Sequence, residues 1–293
     1  MTDSRKLIVR SYLALGVGVL SLGFSAIFVR WAGAPGTVTS FYRTAIAVVV
    51  MAWPFFRRAR SGGGLPRRGL LIAVLGGLFF AADLALWATG VVMSGATNPT
   101  LLANTAPLWV GLGAIVFFRE RLSLGFWAGL LIAMAGAVLI LGLDSLRGIS
   151  LGVGTLAGLL AGIFYGGYVL ITQWGRGSLD SLTYFWPAAV SSSASLLVVC
   201  LLLRQPLTGY TAVTYFNFLA LSLISQVIGY LVINYALGYL PASIVSPTLL
   251  GQPVVTALLA GPLLGEGLSA WQVAGGVAVL AGVYIVHRSR RTS

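Results

Sequence analysis

Charged side chains are scarce in this sequence. Only 8% of its 293 residues are charged, whereas about a quarter of the residues of a soluble domain are. The chain has one cysteine, Cys200, one histidine, His287, and one lysine, Lys6. A single cysteine excludes a disulfide framework, and the chain lacks a ligand set for haem or a bound metal. Retinal binding needs a lysine inside the membrane, which Lys6 does not supply. We therefore expect no metal and no cofactor.

Motifs for catalysis and for nucleotide hydrolysis are also missing. The chain has no P-loop, so an ATP-driven mechanism within it is not expected. Proteolysis or prenyl transfer inside a membrane requires paired acidic residues or a serine–histidine pair. Asp83 is the lone acid within an apolar run, and His287 lies near the end of the chain. These absences predict that the protein is not an enzyme.

Long apolar runs make up most of the chain. Hydrophobic residues account for 58% of it, its mean hydropathy is +0.96, and it contains 38 glycines. About 20 apolar residues can cross a bilayer as a helix, and glycine is frequent in membrane helices. The runs predict an all-α integral membrane protein with ten transmembrane helices. Their predicted bounds are 12–29, 37–56, 69–92, 97–118, 124–143, 151–173, 182–203, 213–235, 242–264 and 271–286.

One stretch of the sequence occurs twice. Residues 96–141 align without a gap with residues 242–287, a shift of 146 positions. Each copy holds an apolar run containing a proline, a short turn with a glutamate, and a second apolar run with spaced glycines. The aligned pairs are Pro107 with Pro253, Glu120 with Glu266, Gly129 with Gly275, and Gly136 with Gly282. The duplication predicts two halves, 1–146 and 147–293, that meet in the polar link 144–150.

The positive charges indicate how the spans are oriented. The net charge is +12, but the arginines lie in short clusters between apolar runs. This is the pattern of cytoplasmic loops rather than of a surface that binds nucleic acid. With the N-terminus inside, fourteen basic residues fall in cytoplasmic segments and three outside, while Arg43 lies within a span. Both termini are therefore predicted to be cytoplasmic. Because each half has five spans, an odd number, the halves are predicted to be inverted repeats around a central cavity.

The repeated motif identifies a family resemblance. A proline, then Arg-Glu-Arg-Leu-Ser at 119–123 or Gly-Glu-Gly-Leu-Ser at 265–269, then spaced glycines, resembles the EamA-type modules of the drug/metabolite transporter superfamily. Within that superfamily the chain is most similar to the YddG-type amino acid exporters. The resemblance implies a ten-helix bundle with a central cavity, spans 5 and 10 at its periphery, and export by alternating access.

Polar and aromatic residues at helical spacing mark the candidate cavity lining. Polar groups inside a membrane are costly and usually face the interior of a helix bundle. A shared face or a regular spacing selects Phe79, Asp83 and Trp87 in span 3, Asn104 and Trp109 in span 4, Tyr165 and Tyr168 in span 6, Gln226, Tyr230 and Asn234 in span 8, and Gln252 in span 9. Such residues also hold membrane helices together, and that alternative stays open for Ser21, Ser25, Ser246 and the serines of span 7.

Asp83 and Arg43 are the charged residues within predicted spans. They form a structural ion pair, or one of them binds a charged end of a zwitterionic substrate, or Asp83 carries a proton. The spacing does not decide among these alternatives.

Two repeated pairs are candidates for hinge or gate positions. Pro107 and Pro253 remove backbone hydrogen bonds and permit bending, either as fixed kinks or as hinges. Glu120 and Glu266 precede the next helix, where a carboxylate caps the helix N-terminus or closes a gate.

These features together predict a multi-pass transporter of the cell inner (plasma) membrane. The expected substrates are neutral amino acids, including large apolar and aromatic ones, and related small metabolites. The expected partners are this substrate and the lipid bilayer, with no nucleic acid, and a monomer suffices. An exporter of another metabolite or of a cationic drug is the alternative. A nucleotide-sugar transporter is less favoured, because such a substrate needs several cationic groups inside the membrane.

Overall fold

The computed structural model describes residues 3–61, 65–94, 97–142, 152–265 and 267–289. Within these ranges the chain forms helices and no strand. Ten helices are long and apolar enough to cross a membrane, which confirms the predicted fold class. In chain order, these spans 1 to 10 are Arg5–Ala32, Gly36–Ser61, Arg67–Ser94, Asn98–Phe118, Leu124–Leu141, Val153–Arg176, Ser181–Leu202, Ala212–Leu237, Ala242–Leu264 and Ala270–Ser289.

Some predicted features fall outside the described residues. They are the polar link 144–150, the turn glutamate Glu266, and the tail arginines Arg290 and Arg291. The spans run alternately up and down, so the N-terminus, the loops after even-numbered spans and the end of span 10 share one side of the bundle. We call this side the N-terminal face.

Four spans are interrupted along their length. Span 1 divides at Phe24 into Asp3–Gly23 and Ser25–Ala32. Three others also contain more than one segment. Span 4 consists of Thr97–Ala103 and Ala106–Phe118, span 9 of Ala242–Leu249 and Gly251–Leu264, and span 8 of Ala212–Ala220 and Tyr230–Leu237 with a π-helix, Leu221–Gly229, between them.

Side-chain caps begin spans 5, 7, 8 and 10, the last through Ser269, which accepts from the Gln272 N–H at 3.2 Å. Ser123 accepts a hydrogen bond from the Phe126 N–H at 3.3 Å, ahead of span 5. Asp180 accepts one from the Thr183 N–H at 2.9 Å, ahead of span 7. Thr211 does the same ahead of span 8. These side chains satisfy N–H groups that have no partner within their own helix.

The 146-residue repeat is visible in the helix boundaries. The first segments of spans 4 and 9 end at equivalent residues, Ala103 and Leu249, and the spans themselves end at Phe118 and Leu264. The residues that follow are equivalent too. Arg119, with φ 54°, and Gly265, with φ 72°, both adopt the left-handed conformation that stops a helix.

Spans 5 and 10 pack against each other through glycines. A Cβ at Gly129 would lie 2.8 Å from the carbonyl oxygen of Gly282, and one at Gly136 would lie 2.6 Å from that of Gly275. Only a residue without a side chain permits such a close backbone approach. The two contacts run antiparallel, and the 146-residue shift exchanges one for the other.

The remaining eight spans share a central core. Its buried residues come from spans 1 to 4 and 6 to 9, with Phe80, Tyr168 and Tyr230 among the largest. The buried residues of spans 5 and 10 form a separate cluster with Ile244 and Leu250 of span 9, and partly buried residues of spans 4 and 9, such as Leu108 and Val254, pack against it. Spans 5 and 10 thus lie beside the eight-span bundle, and the bundle holds the central core.

Candidate functional site

A cavity of about 150 Å³ lies where spans 3, 4, 6, 8 and 9 meet. One water needs about 10–15 Å³ measured in this way, so the cavity has room for a small molecule. Charged, amide, hydroxyl, aromatic and aliphatic groups all border it. Its lining residues are Asp83, Thr100, Ala103, Asn104, Ala106, Pro107, Tyr165, Tyr230, Ser246, Leu249, Leu250 and Gln252.

The breaks in spans 4 and 9 both lie at this cavity. Proline has no N–H, so Pro107 cannot donate to the carbonyl of Ala103, and Pro253 cannot donate to that of Leu249. Ala103 and Leu249 both line the cavity. Each half of the chain therefore contributes one lining residue whose carbonyl lacks its usual helical donor.

Helix ends of both signs also meet at the breaks. The helices that begin at Ala106 and Gly251 carry partial positive charge at these N-termini, whereas those that end at Ala103 and Leu249 carry partial negative charge. A ligand with separated positive and negative groups can be held by both kinds of end.

Asp83 is the charged residue of the lining. Its side chain is 8% exposed, and no hydrogen-bond donor contacts its carboxyl group among the described residues. Arg43 is close enough for the two charges to interact. However, no Arg43 nitrogen lies within 4.0 Å of an Asp83 oxygen, so the pair does not form a salt bridge within the described chain.

Arg43 does not border the cavity, and its guanidinium group contacts residues other than Asp83. Its Nε donates to Oε1 of Gln226 at 2.9 Å. Its guanidinium carbon lies 5.5 Å from the ring centre of Tyr230 and 5.9 Å from that of Phe80, within the range of cation–π attraction. Its buried Nη2 has no hydrogen-bond partner in the described chain.

Aromatic rings form one wall of the cavity and the layer behind it. Tyr165 and Tyr230 border the space. Tyr168 stacks with Tyr165 at 6.0 Å between ring centres and also meets Tyr230. Phe80 lies 4.8 Å from both Tyr168 and Tyr230. Together these rings give an apolar surface next to a carboxyl group.

Ser246 is a lining residue with an unsatisfied hydroxyl. It is 1% exposed, and its Oγ, which has no hydrogen-bond partner among the described residues, is itself shut off from the open space. Asn104, in span 4, donates through Nδ2 to the Thr100 carbonyl at 3.0 Å. The Ser246 hydroxyl therefore lies within the wall rather than at the surface of the cavity.

The structure brings together some of the predicted site residues. Asp83, Asn104, Tyr165, Tyr230 and Gln252 border one cavity, with the predicted hinge Pro107. Sequence reasoning left Ser246 undecided and did not select Ala103, Leu249 or Leu250. The i−4 carbonyls of the two paired prolines would have identified Ala103 and Leu249.

Two residues predicted from the four-residue spacing in span 8 lie away from the lining. Gln226 is buried against Arg43, and Asn234 accepts from the Tyr168 hydroxyl at 3.4 Å. Gln226 lies in the π-helix Leu221–Gly229, which has more residues per turn than the α-helix that the spacing assumed. Tyr230 and Asn234 lie one turn apart in the α-helix that follows, Tyr230–Leu237. Of the three, only Tyr230 reaches the cavity.

The predicted tryptophans, Phe79 and Pro253 also lie outside the lining. Trp87 donates from Nε1 to Oγ1 of Thr100 at 3.0 Å and links spans 3 and 4. Trp109 donates to Thr105 of its own span at 3.2 Å, and Phe79 packs on Phe164. Their indole and phenyl groups support the walls rather than border the space.

At the N-terminal face, hydrogen bonds join the start of span 9 to residues of the loop after span 4 and of span 6. Ser243 donates to Oε2 of Glu120, at the end of span 4, at 2.6 Å. The backbone N–H of Ala242 donates to Oε1 of Gln173 in span 6. The segment Ala242–Leu249 is almost wholly buried, whereas its continuation Gly251–Leu264 has no buried residue.

An exposed ion pair joins two segments of the same face. Arg58 donates to Asp180 at 3.0 Å. Partial burial raises the pKa of the Asp180 carboxyl, but the Thr183 N–H and the Arg58 charge lower it by more, so this pKa lies below its ordinary value. Asp180 therefore stays ionised at neutral pH.

Metal binding finds no support in the residues that the structure describes. They contain no group of three or more histidine, cysteine, aspartate or glutamate side chains placed to hold an ion. The polar groups of the cavity suit hydrogen bonding to an organic molecule instead.

Comparisons with known proteins give consistent results. The model of the EamA-like transporter family matches residues 9–142 and again 152–288. An uncharacterized transporter of Archaeoglobus fulgidus is 27% identical over 259 residues, covering 84% of this chain and 86% of that protein. A solved crystal structure, described only as that of a protein, is 17% identical with a TM-score of 0.78, covering 96% of this chain and 98% of that one. The last likeness shows the fold alone.

Proposed function

This chain belongs to the EamA-like transporter family, and we propose that it exports neutral amino acids, including large apolar and aromatic ones. It is a multi-pass membrane transporter, and we place it in the inner (plasma) membrane with both termini in the cytoplasm. The observation that carries the proposal is the central cavity, where Asp83 and the breaks of spans 4 and 9 face the aromatic wall of Tyr165 and Tyr230.

The composition of the cavity fits a zwitterion with a variable side chain. An amino acid needs partners for an ammonium and a carboxylate group and an adaptable apolar surface for the rest. Asp83 and the freed carbonyls supply acceptors. Asn104, Gln252 and the N-termini of two helices supply donors and partial positive charge. The tyrosine rings supply the apolar surface.

Nucleotide sugars fit the same cavity poorly. Their phosphates need several cationic groups, and no cationic side chain of the described residues borders the space. The nearby guanidinium of Arg43 is engaged by Gln226 and two aromatic rings. Export of a cationic drug is the second candidate, because a carboxyl group beside aromatic rings also suits an organic cation.

Alternating access follows from the duplication. We infer that the two halves, 1–146 and 147–293, are inverted copies. The equivalent breaks at Ala103 and Leu249 and the exchanged glycine contacts of spans 5 and 10 support this inference. With the N-terminal face in the cytoplasm, the Ser243–Glu120 contact closes the inner side. The opposite state would then be reached by exchanging the roles of the two halves.

A transport panel tests this proposal. Purified protein in liposomes is assayed with leucine, phenylalanine, a nucleotide sugar and a cationic drug, each with and without a pH gradient, against protein-free liposomes. We expect saturable flux of the two amino acids and none of the nucleotide sugar. Strong nucleotide-sugar flux, or flux of the drug without amino acid flux, would contradict amino acid export. The pH arm separates proton exchange from facilitated diffusion.

A further inference from the structure

The Asp83 carboxyl group lacks a partner of its own within the described chain. An ionised carboxylate at mid-membrane is costly unless a cation or hydrogen-bond donors compensate it. No donor contacts it, and Arg43 is held by Gln226 and the rings of Phe80 and Tyr230 rather than by Asp83. The cavity that Asp83 borders is the place where a compensating cation can bind to it.

Two further acceptors belong to residues that line the same cavity. The carbonyls of Ala103 and Leu249 have lost their usual helical donors to Pro107 and Pro253. The first segments of spans 4 and 9 also end here, with partial negative charge. The lining thus offers backbone acceptors around one carboxyl group.

An ammonium group matches this set. It carries a full positive charge and three N–H donors in a compact volume. A carboxylate accepts one donor through a strong, charge-assisted bond, and the two carbonyls are acceptors for the other two. A quaternary ammonium has no N–H and would leave these acceptors unsatisfied.

We propose that Asp83 binds the ammonium group of the substrate, with the carbonyls of Ala103 and Leu249 as its further acceptors. This assignment rests on the proposed function and narrows it. Recognition then depends on a free amino group, while the carboxylate of the amino acid contributes less. A decarboxylated amine should bind, and an N-acetylated amino acid should not.

The test compares four ligands that share one side chain. Leucine, 3-methylbutylamine, 4-methylpentanoate and N-acetyl-leucine are titrated into purified wild-type protein in lipid nanodiscs. We expect leucine and 3-methylbutylamine to bind within about tenfold of each other. The two ligands without an ammonium group should bind about 30-fold more weakly or worse, as when one partner of a buried charge pair is lost.

Variants of Asp83 test whether this residue is the one that binds the ammonium group. Asp83→Asn should weaken leucine and 3-methylbutylamine binding by about 30-fold or more, and Asp83→Glu should restore part of it. Asp180→Asn, the same change at the exposed ion pair, should leave binding unchanged. The ligand series on wild-type protein keeps the test decisive if Asp83→Asn fails to fold.

Several outcomes would overturn the assignment. N-acetyl-leucine binding as tightly as leucine, or undiminished leucine binding by folded Asp83→Asn, would show that the ammonium group is held elsewhere. Leucine binding that requires Na⁺ and is absent in K⁺ would place an inorganic cation at Asp83. If 3-methylbutylamine binds and leucine does not, the result would contradict amino acid export but support the ammonium site. Binding of none of the four would overturn both.

Discussion

Ser243 donates a hydrogen bond to the carboxylate of Glu120 at 2.6 Å and so ties the start of span 9 to the end of span 4. This contact crosses between the two copies of the duplicated segment. It lies on the same face as the bond from Ala242 to Gln173. Both bonds hold the buried segment Ala242–Leu249 against the bundle, and their loss should open the cavity toward this face.

Ser243→Ala should therefore increase access to the cavity from the N-terminal face. The cavity residue Ala103 is changed to cysteine in a Cys200→Ala background, and labelling by a membrane-impermeant thiol reagent is timed in inside-out vesicles. A bond to a charged group contributes about 1.5–3 kcal/mol, so a labelling rate about tenfold higher is expected. Arg58→Gln, which removes an exposed ion pair of the same face, should leave the rate unchanged. A labelling rate in Ser243→Ala equal to that of the protein with Ser243 intact would show that this contact does not limit access to the cavity.

Gly136→Ala should separate spans 5 and 10. The added Cβ would lie 2.6 Å from the Gly275 carbonyl oxygen, and overpacking of this kind costs about 1–3 kcal/mol. Thermal unfolding in detergent should show a lowered Tm. Gly16→Ala is the matched control, because a Cβ at Gly16 meets nothing within 4 Å, and its Tm should hold or rise. An unchanged Tm for Gly136→Ala would show that the two spans can separate at no cost.

Arg43→Gln should destabilise the protein, and the addition of Asp83→Asn should recover part of the loss. The single change removes the positive charge that acts on Asp83, whereas the double change removes both charges. Interaction energies of neighbouring groups are about 0.5–3 kcal/mol. The measurement is the Tm of the wild-type, single and double variants. A double variant no more stable than Arg43→Gln would show that the two charges are independent.

Asp180 should make stability depend on pH in the acid range. Its folded-state pKa lies below the ordinary value, so its contribution is complete above the unfolded pKa of about 4 and is lost as the pH falls through the folded pKa. Asp180→Ala should lower the Tm at pH 7, because the cap and the ion pair are both lost. The difference in Tm between this variant and the wild type should become smaller below about pH 4. A gap that stays constant down to pH 3 would contradict the assignment.

Hydropathy and the repeat predicted much of the fold. The ten spans follow from the lengths of the apolar runs, and the breaks in spans 4 and 9 fall near the paired prolines. Side-chain partners across spans were not predictable, because spacing along one helix does not determine what the next helix presents. Trp87 thus bonds to Thr100, and Gln226 bonds to Arg43.

The site shows the same limit. Helical spacing identified Asp83, Tyr165 and Tyr230, each of which borders the cavity. The π-helix in span 8 changed the register of Gln226, which bonds to Arg43, whereas Asn234 lies in the α-helix that follows and accepts from Tyr168. A π-helix depends on local backbone packing and has no sequence pattern that the spacing argument could use.

Leucine counterflow in proteoliposomes tests the central claim most directly. Vesicles loaded with unlabelled leucine are diluted into a trace of labelled leucine. An alternating-access carrier exchanges one for the other and accumulates label transiently, whereas a channel lets both run down. We predict a transient overshoot of labelled leucine that preloaded nucleotide sugar does not produce. Absence of the overshoot with leucine, or its appearance only with nucleotide sugar, would contradict the proposed amino acid exporter.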